Sequence, residues 1–288
     1  QFEDDLYDPT QIEAPPADFF TGGSLSSPGV TYTTDTTSYA IADTMSFADD
    51  RFLLTIGARQ QALEGETFDY NTGERLSKYD ESKLTPVGGI VYKPGETISL
   101  YANYIEGLIA GDIPPTVANG LPVANGGEAQ DPYQAEQIEA GVKYDSGQYG
   151  ATLSLFSITR PFGVLEPYED SETEGDDLIF RDDGEQRNRG VELSVYGELA
   201  GGVRLIGGLT WLDAEMTKTQ DGVNQGKTAV GSPDLQANVN VEWDIAGVQG
   251  LTLDGRIMYT SSQYADAANV FGDPERRLRV PGREEHEA

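Results

Sequence analysis

The 288-residue chain has room for one large β-domain or two ordinary ones, and its 38% hydrophobic content lies below that of a usual soluble domain. Acidic residues outnumber basic ones 49 to 19, a formal charge of −30, which argues against nucleic acid because that partner needs Lys and Arg on its phosphates. With no cysteine, disulfides and thiolate metal sites are excluded, and no run approaches the ~18 apolar residues of a transmembrane helix.

A transmembrane strand needs only about 9–11 residues, half of them apolar, so a membrane β-barrel stays open. Period-two alternation predicts ten strands, in chain order near 35–47, 51–63, 79–92, 97–108, 134–144, 148–160, 187–199, 203–216, 234–244 and 251–262. In the fifth, Ile138, Ala140, Val142 and Tyr144 alternate with Gln137, Glu139 and Lys143. In the seventh, Val191, Leu193, Val195 and Leu199 oppose Glu192, Ser194, Tyr196 and Glu198. The ninth sets Ala237, Val239, Val241 and Trp243 against Gln236, Asn238, Asn240 and Glu242, and the tenth sets Leu251, Leu253, Ile257 and Tyr259 against Thr252, Asp254, Arg256 and Thr260. At about 11–14 residues each, these strands exceed the 5–6 typical of soluble sheets and suit a tilted crossing of an apolar band about 25 Å tall.

Short turns are predicted at Asp49–Asp50, Pro94–Glu96, Asp145–Gly147, Ala200–Gly202 and Ala246–Gly250, and long links near 64–78, 109–133, 161–186, 217–233 and beyond 262. Strict short–long order fits an outer-membrane barrel with short periplasmic turns and long extracellular loops. Aromatics at strand ends (Tyr39, Phe47, Tyr92, Tyr104, Tyr144, Trp211, Trp243 and Tyr259) fit two interfacial girdles. The fold class expected is therefore all-β: an antiparallel up-and-down transmembrane β-barrel, partial, with about ten strands of a larger barrel. Its expected divisions are an extracellular loop region at 1–34, the partial barrel at 35–262, and a loop with a charged tail at 263–288.

Chemistry is sparse. The sole histidine, His286, sits in the charged tail, away from any nucleophile and orienting group. The acidic run from Glu166 to Glu185 is read as a solvated loop, because it has no D-x-[DN]-x-[DN]-G pattern for calcium. Glu192 with Glu198 would make a pair of glycosidase acids, but on an inward barrel face they more simply keep the lumen wet. Gly22-Gly23, Gly126-Gly127 and Gly201-Gly202 open no helix and are turn glycines rather than phosphate loops. No enzyme, bound cofactor or metal is expected. Gln1 opens without a basic-then-apolar signal, as in a mature form or a fragment.

Several blocks carry a resemblance: SYAIADTMSFADDRFLLTIGAR from Ser38, SLYANYIEGL from Ser99, EQIEAGVKYD from Glu136, ATLSLFSITRP from Ala151, RNRGVELSVYGEL from Arg187 and YTSSQYADAAN from Tyr259. In this order they resemble the C-terminal barrel half of TonB-dependent ferric-siderophore receptors. The resemblance implies an outer-membrane barrel of about 22 strands plugged by an N-terminal domain. It also implies an Fe(III)-siderophore as transported ligand, outer-membrane lipid around the barrel, and a TonB complex engaged through an N-terminal segment. The plug and that segment are expected to lie outside this sequence. The stretch after Asn269, GDPERRLRVPGREEHEA, departs from the family pattern.

Ferric siderophores are bulky and often anionic, so a vestibule of aromatics with an occasional Arg would suit them. On the polar parity at extracellular strand ends, Tyr133, Arg160, Gln236 and Tyr264 are the candidate ligand residues. Two alternatives stay open: a passive porin-like outer-membrane barrel, and a secreted soluble β-protein or adhesin.

Overall fold

The computed structural model describes residues 28–168 and 177–272. The acidic stretch 169–176, most of the expected 1–34 loop region, and His286 with the charged tail lie outside them. Ten strands form one antiparallel sheet in which every strand pairs with its neighbour in sequence. They are β1 (Tyr32–Phe47), β2 (Phe52–Phe68), β3 (Arg75–Tyr92), β4 (Ile98–Ile109), β7 (Tyr133–Asp145), β8 (Tyr149–Pro167), β9 (Leu178–Ala200), β10 (Val203–Lys218), β11 (Leu235–Asp244) and β12 (Thr252–Thr260). A small hairpin, β5 (Val117–Ala118) and β6 (Leu121–Pro122), stands apart in the link between β4 and β7. No helix among the described residues is long and apolar enough to cross a membrane, which says nothing of strands.

Register converts the period-two pattern into two faces, because directly paired residues share a face. On one face, Leu100 pairs with Val142, Val142 with Leu153, Leu153 with Leu193 and Leu193 with Leu209. The same face continues through Ala237 to Tyr259 in one direction and, at the other end of the sheet, through Tyr92 and Phe52 to Phe47. Among the described residues nothing covers its apolar side chains: Ile41 is 80% exposed and Ile138 60%. A continuous apolar face of this size is sustained only against lipid or another apolar surface.

Aromatic rings bound this belt. Phe47, Phe52, Tyr92, Tyr144 and Trp243 lie on it toward the end where the chain turns tightly, with Phe52 and Tyr92 stacked at 4.6 Å. Tyr39, Tyr104, Trp211 and Tyr259 lie on it toward the other end. Trp211 pairs with Leu235, eight residues along β11 from Trp243. Eight residues rise about 26 Å along the strand and, at a tilt of about 40°, about 20 Å along the barrel axis. The spacing of these rings is thus within about 5 Å of the ~25 Å apolar band that outer-membrane barrels present.

Four sequence expectations are corrected. The strands run from 9 to 23 residues rather than 11–14. The 64–78 link is mostly ladder, since β2 and β3 stay paired up to Phe68 and Arg75, leaving a turn whose Asp69 carboxylate accepts the N–H groups of Asn71 (2.9 Å) and Thr72 (2.7 Å). Likewise β8 and β9 remain paired from Tyr149 through Pro167. Beyond the apolar belt both faces of a hairpin are wet, so alternation fades while hydrogen bonding continues. Leu199, expected on the apolar face with Val195, falls instead at a bulge: β10 pairs Val203 with Ala200 and Arg204 with Glu198, skipping it.

Candidate functional site

The face opposite the belt is polar and forms the inner wall. One row across it reads Tyr101, Gly141, Ser154, Glu192, Thr210, Gln236 and Thr260, each paired with the next. The row before it holds Asn103, Glu139 and Phe156. Tyr101 donates its hydroxyl to Glu139, Gln137 donates to the other carboxylate oxygen at 3.1 Å, and the Lys143 ammonium lies 4.9 Å from the centre of the Tyr101 ring. Nearer the tight turns, Arg204 bridges Glu242 (3.0 Å) and Asp244 (2.6 Å). Such a wall tolerates water and offers both carboxylates and cations to whatever fills the lumen.

Aromatic rings on this wall rest against glycines of the adjacent strand. A Cβ on Gly141 would meet the Tyr101 ring at 2.7 Å, one on Gly150 the Tyr196 ring at 2.6 Å, and one on Gly190 the Phe156 ring at 2.5 Å. Each glycine is the direct cross-strand partner of its ring. The missing side chain lets the ring lie flat over the backbone and covers an otherwise bare stretch of ladder.

At the long-link end, the loop between β4 and β7 is fastened at its base. Tyr79 accepts the Gly111 N–H at 2.8 Å and Tyr133 donates to Asp112 at 2.8 Å. Burial, then the Asp112 carboxylate, pushes the Tyr133 phenol well above its usual range. Of the four candidate ligand residues, Tyr133 is therefore 5% exposed with its hydroxyl engaged inside the loop. Arg160 is exposed on the inner parity of β8 opposite Gln186, with no ion pair to it among the described residues. Gln236 is exposed on the inner wall between Thr210 and Thr260. Tyr264 lies past β12, bridged to Gly272, and its carbonyl accepts the Gly231 N–H at 2.9 Å. No hydrogen bond or ion pair among the described residues joins any two of the four.

Sequence reasoning placed Glu139 and Lys143 on the polar parity, but not the Tyr101 that organises them. Tyr101 and Glu139 are 38 positions apart, and only register makes them neighbours. Alternation reveals faces; it carries no information about which strand lies beside which residue. No group of His, Cys, Asp and Glu suited to holding a metal occurs among the described residues.

The family model described as "TonB dependent receptor-like, beta-barrel" matches residues 2–283. The chain belongs to the TonB-dependent receptor β-barrel family. The ferrichrome receptor FcuA of Yersinia enterocolitica is 39% identical over 94% of this chain and 34% of its own length. The ferrioxamine B receptor of Salmonella typhimurium is 27% identical over 83% of the chain and 32% of its own. The ferric preacinetobactin receptor BauA of Acinetobacter baumannii superposes with a TM-score of 0.72 and 43% identity, covering 85% of this chain and 35% of BauA. The chain thus spans about a third of the length of the curated relatives it matches. These relatives are receptors. Membership makes this an outer-membrane barrel segment; in barrels of this kind tight turns face the periplasm and long links the outside, and the links are named accordingly.

Proposed function

We propose that this chain is part of the barrel wall of a TonB-dependent receptor that takes up ferric siderophores across the outer membrane. The observation carrying this reading is the pairing of a lipid-matched outer belt with a polar inner wall in a chain that is 43% identical to a ferric preacinetobactin receptor over most of its length. Two relatives are named for ferrichrome and ferrioxamine B, so those two complexes are the ligands to try first. In this reading the TonB complex acts through a part of the receptor outside these residues. Arg160 and Gln236 line the path from the extracellular mouth, where an exposed guanidinium attracts an anionic complex and an amide supplies either half of a hydrogen bond. Tyr264 and Tyr133 contribute through the loops they hold in place. Residues 35–262 form the barrel wall in this reading, 1–34 an extracellular loop region and 263–288 a loop with a charged tail, with β1 reaching back from the wall into the first division as far as Tyr32.

The test is growth of an iron-starved strain lacking its own siderophore receptors, carrying the full-length receptor, on a panel of ferric siderophores with TonB present or deleted. Uptake of at least one siderophore that vanishes without TonB is expected, and Arg160→Ala should weaken binding of that complex about tenfold, the scale of one charge-assisted hydrogen bond. Uptake that persists without TonB would replace this reading with a passive porin. Failure of every siderophore tried would remove the siderophore assignment.

A further inference from the structure

Two asparagines in the extracellular links make the same unusual contact. Asn125 accepts the Phe180 N–H at 3.0 Å through Oδ1 and donates through Nδ2 to the Phe180 carbonyl at 2.8 Å. Asn269 accepts the Thr228 N–H at 2.8 Å and donates to the Thr228 carbonyl at 3.0 Å. In each case one side-chain amide satisfies both backbone groups of one distant residue, as a strand partner does in a β-ladder. The partners are 55 and 41 positions away.

Each contact is backed by others across the same two links. Beside Asn125, Ala124 donates to the Leu178 carbonyl at 2.8 Å and Val123 forms a parallel bridge with Leu178, with the Val123 side chain buried. Beside Asn269, Gly231 donates to the Tyr264 carbonyl at 2.9 Å. Asn269 itself has left-handed backbone (φ 56°), and the Asp266 carboxylate steadies the same turn by accepting the N–H groups of Val270 (2.9 Å) and Phe271 (2.8 Å). Among the described residues no hydrogen bond or ion pair runs from the β4–β7 link to the β10–β11 link or to residues 261–272; the two sides meet only lower down, where Glu185 of β9 accepts from Thr217 (2.7 Å) and pairs with Lys218 (3.1 Å) and β8 passes close to residues 220–222.

We infer that the extracellular links are held as two clasped units, each closed by an asparagine that substitutes for a strand. Asn125 joins the β4–β7 link to the raised end of the β8–β9 hairpin. Asn269 joins the β10–β11 link to the segment after β12. The units divide the candidate ligand residues two and two: Tyr133 and Arg160 belong to the first, Gln236 and Tyr264 to the second. A ligand touching one link of a unit therefore orders its clasped partner link more than it orders the links of the other unit. This consequence for the ligand rests on the uptake reading above; the two clasps do not.

The test uses the full-length receptor in lipid nanodiscs, without ligand, and reads amide hydrogen exchange. Asn125→Asp is nearly isosteric but removes the donor and sets a carboxylate oxygen against the Phe180 carbonyl. It is expected to speed exchange at 178–181 and 121–127 about tenfold, leaving 226–231 and 264–271 unchanged; Asn269→Asp is expected to do the reverse. Exchange that rises only in the link carrying the substitution, or in both units together, would overturn the inference. A second measurement keeps the Asn125 side chain intact. These 288 residues hold no cysteine, so with any cysteine elsewhere in the receptor replaced by serine, Val123→Cys with Leu178→Cys should crosslink on mild oxidation, and failure to crosslink counts against the first unit. Because exchange is read without siderophore, absence of uptake by the unmodified receptor would sink the uptake reading and leave these two units standing.

Discussion

Phe156 and Gly190 show how far a single side chain decides the shape of the inner wall. They are direct partners across β8 and β9, and a Cβ on Gly190 would lie 2.5 Å from the Phe156 ring and 2.4 Å from the Trp211 carbonyl oxygen. The ring is a side chain and can turn, but the carbonyl belongs to the ladder and cannot. Gly190→Ala therefore strains the sheet itself. It is expected to destabilise the folded barrel by about 1–3 kcal/mol, in the range of overpacking substitutions. Gly107→Ala, where nothing lies within 4 Å of the added atom, is expected to cost far less. Urea-dependent folding of the full-length receptor into lipid vesicles, followed by heat-modifiable mobility on a gel, measures both. Equal midpoints for the two variants would show that the close approach at Gly190 carries no energy.

At the scale of strands, the physical reason the fold was legible is that lipid and water lie on opposite sides of each one. Val239 and Asn238 are adjacent on β11 and face lipid and lumen respectively, and that alternation is written plainly in the sequence. Where a hairpin rises clear of the membrane the contrast disappears: the Leu178–Asp183 stretch of β9 shows no alternation, so nothing in its sequence announces the ladder it forms. The site was legible only as a parity. Glu139, Glu192 and Gln236 could be assigned to the inner face, but Tyr133's commitment to Asp112 and the reach of Asn125 to Phe180 depend on how the links fold back, which no periodicity encodes. The same alternation makes a sharp prediction. Val239→Arg puts a cation in the apolar belt and is expected to cost about 2–4 kcal/mol near the bilayer centre, whereas Asn238→Arg on the neighbouring inner position should cost less than 1 kcal/mol. Vesicle-folding titrations of the two variants check this, and a larger loss for Asn238→Arg would mean that the two faces have been assigned the wrong way round.

For the whole molecule, the ends of the sheet matter more than its middle. Among the described residues β1 pairs only with β2, and β12 only with β11. About half of the backbone N–H and C=O groups of each edge strand therefore point away from the sheet. In hydrocarbon such groups cost several kcal/mol apiece unless another strand takes them up, and barrels persist in membranes because closure leaves none behind. The relatives are about three times longer than the matched region, so in a receptor of that size other strands stand beside β1 and β12. A polypeptide of these 288 residues offered to lipid by itself has no such neighbours. It is expected to give neither siderophore-dependent iron uptake into liposomes nor a steady single-channel conductance in planar bilayers, and to run on gels without the heat-modifiable shift of a closed barrel. Supplying the remainder of the receptor in the same polypeptide should restore that shift. Robust iron uptake by the 288-residue chain alone would show instead that its edges find partners without the rest of the receptor, whether by closing on each other or by pairing with a second copy.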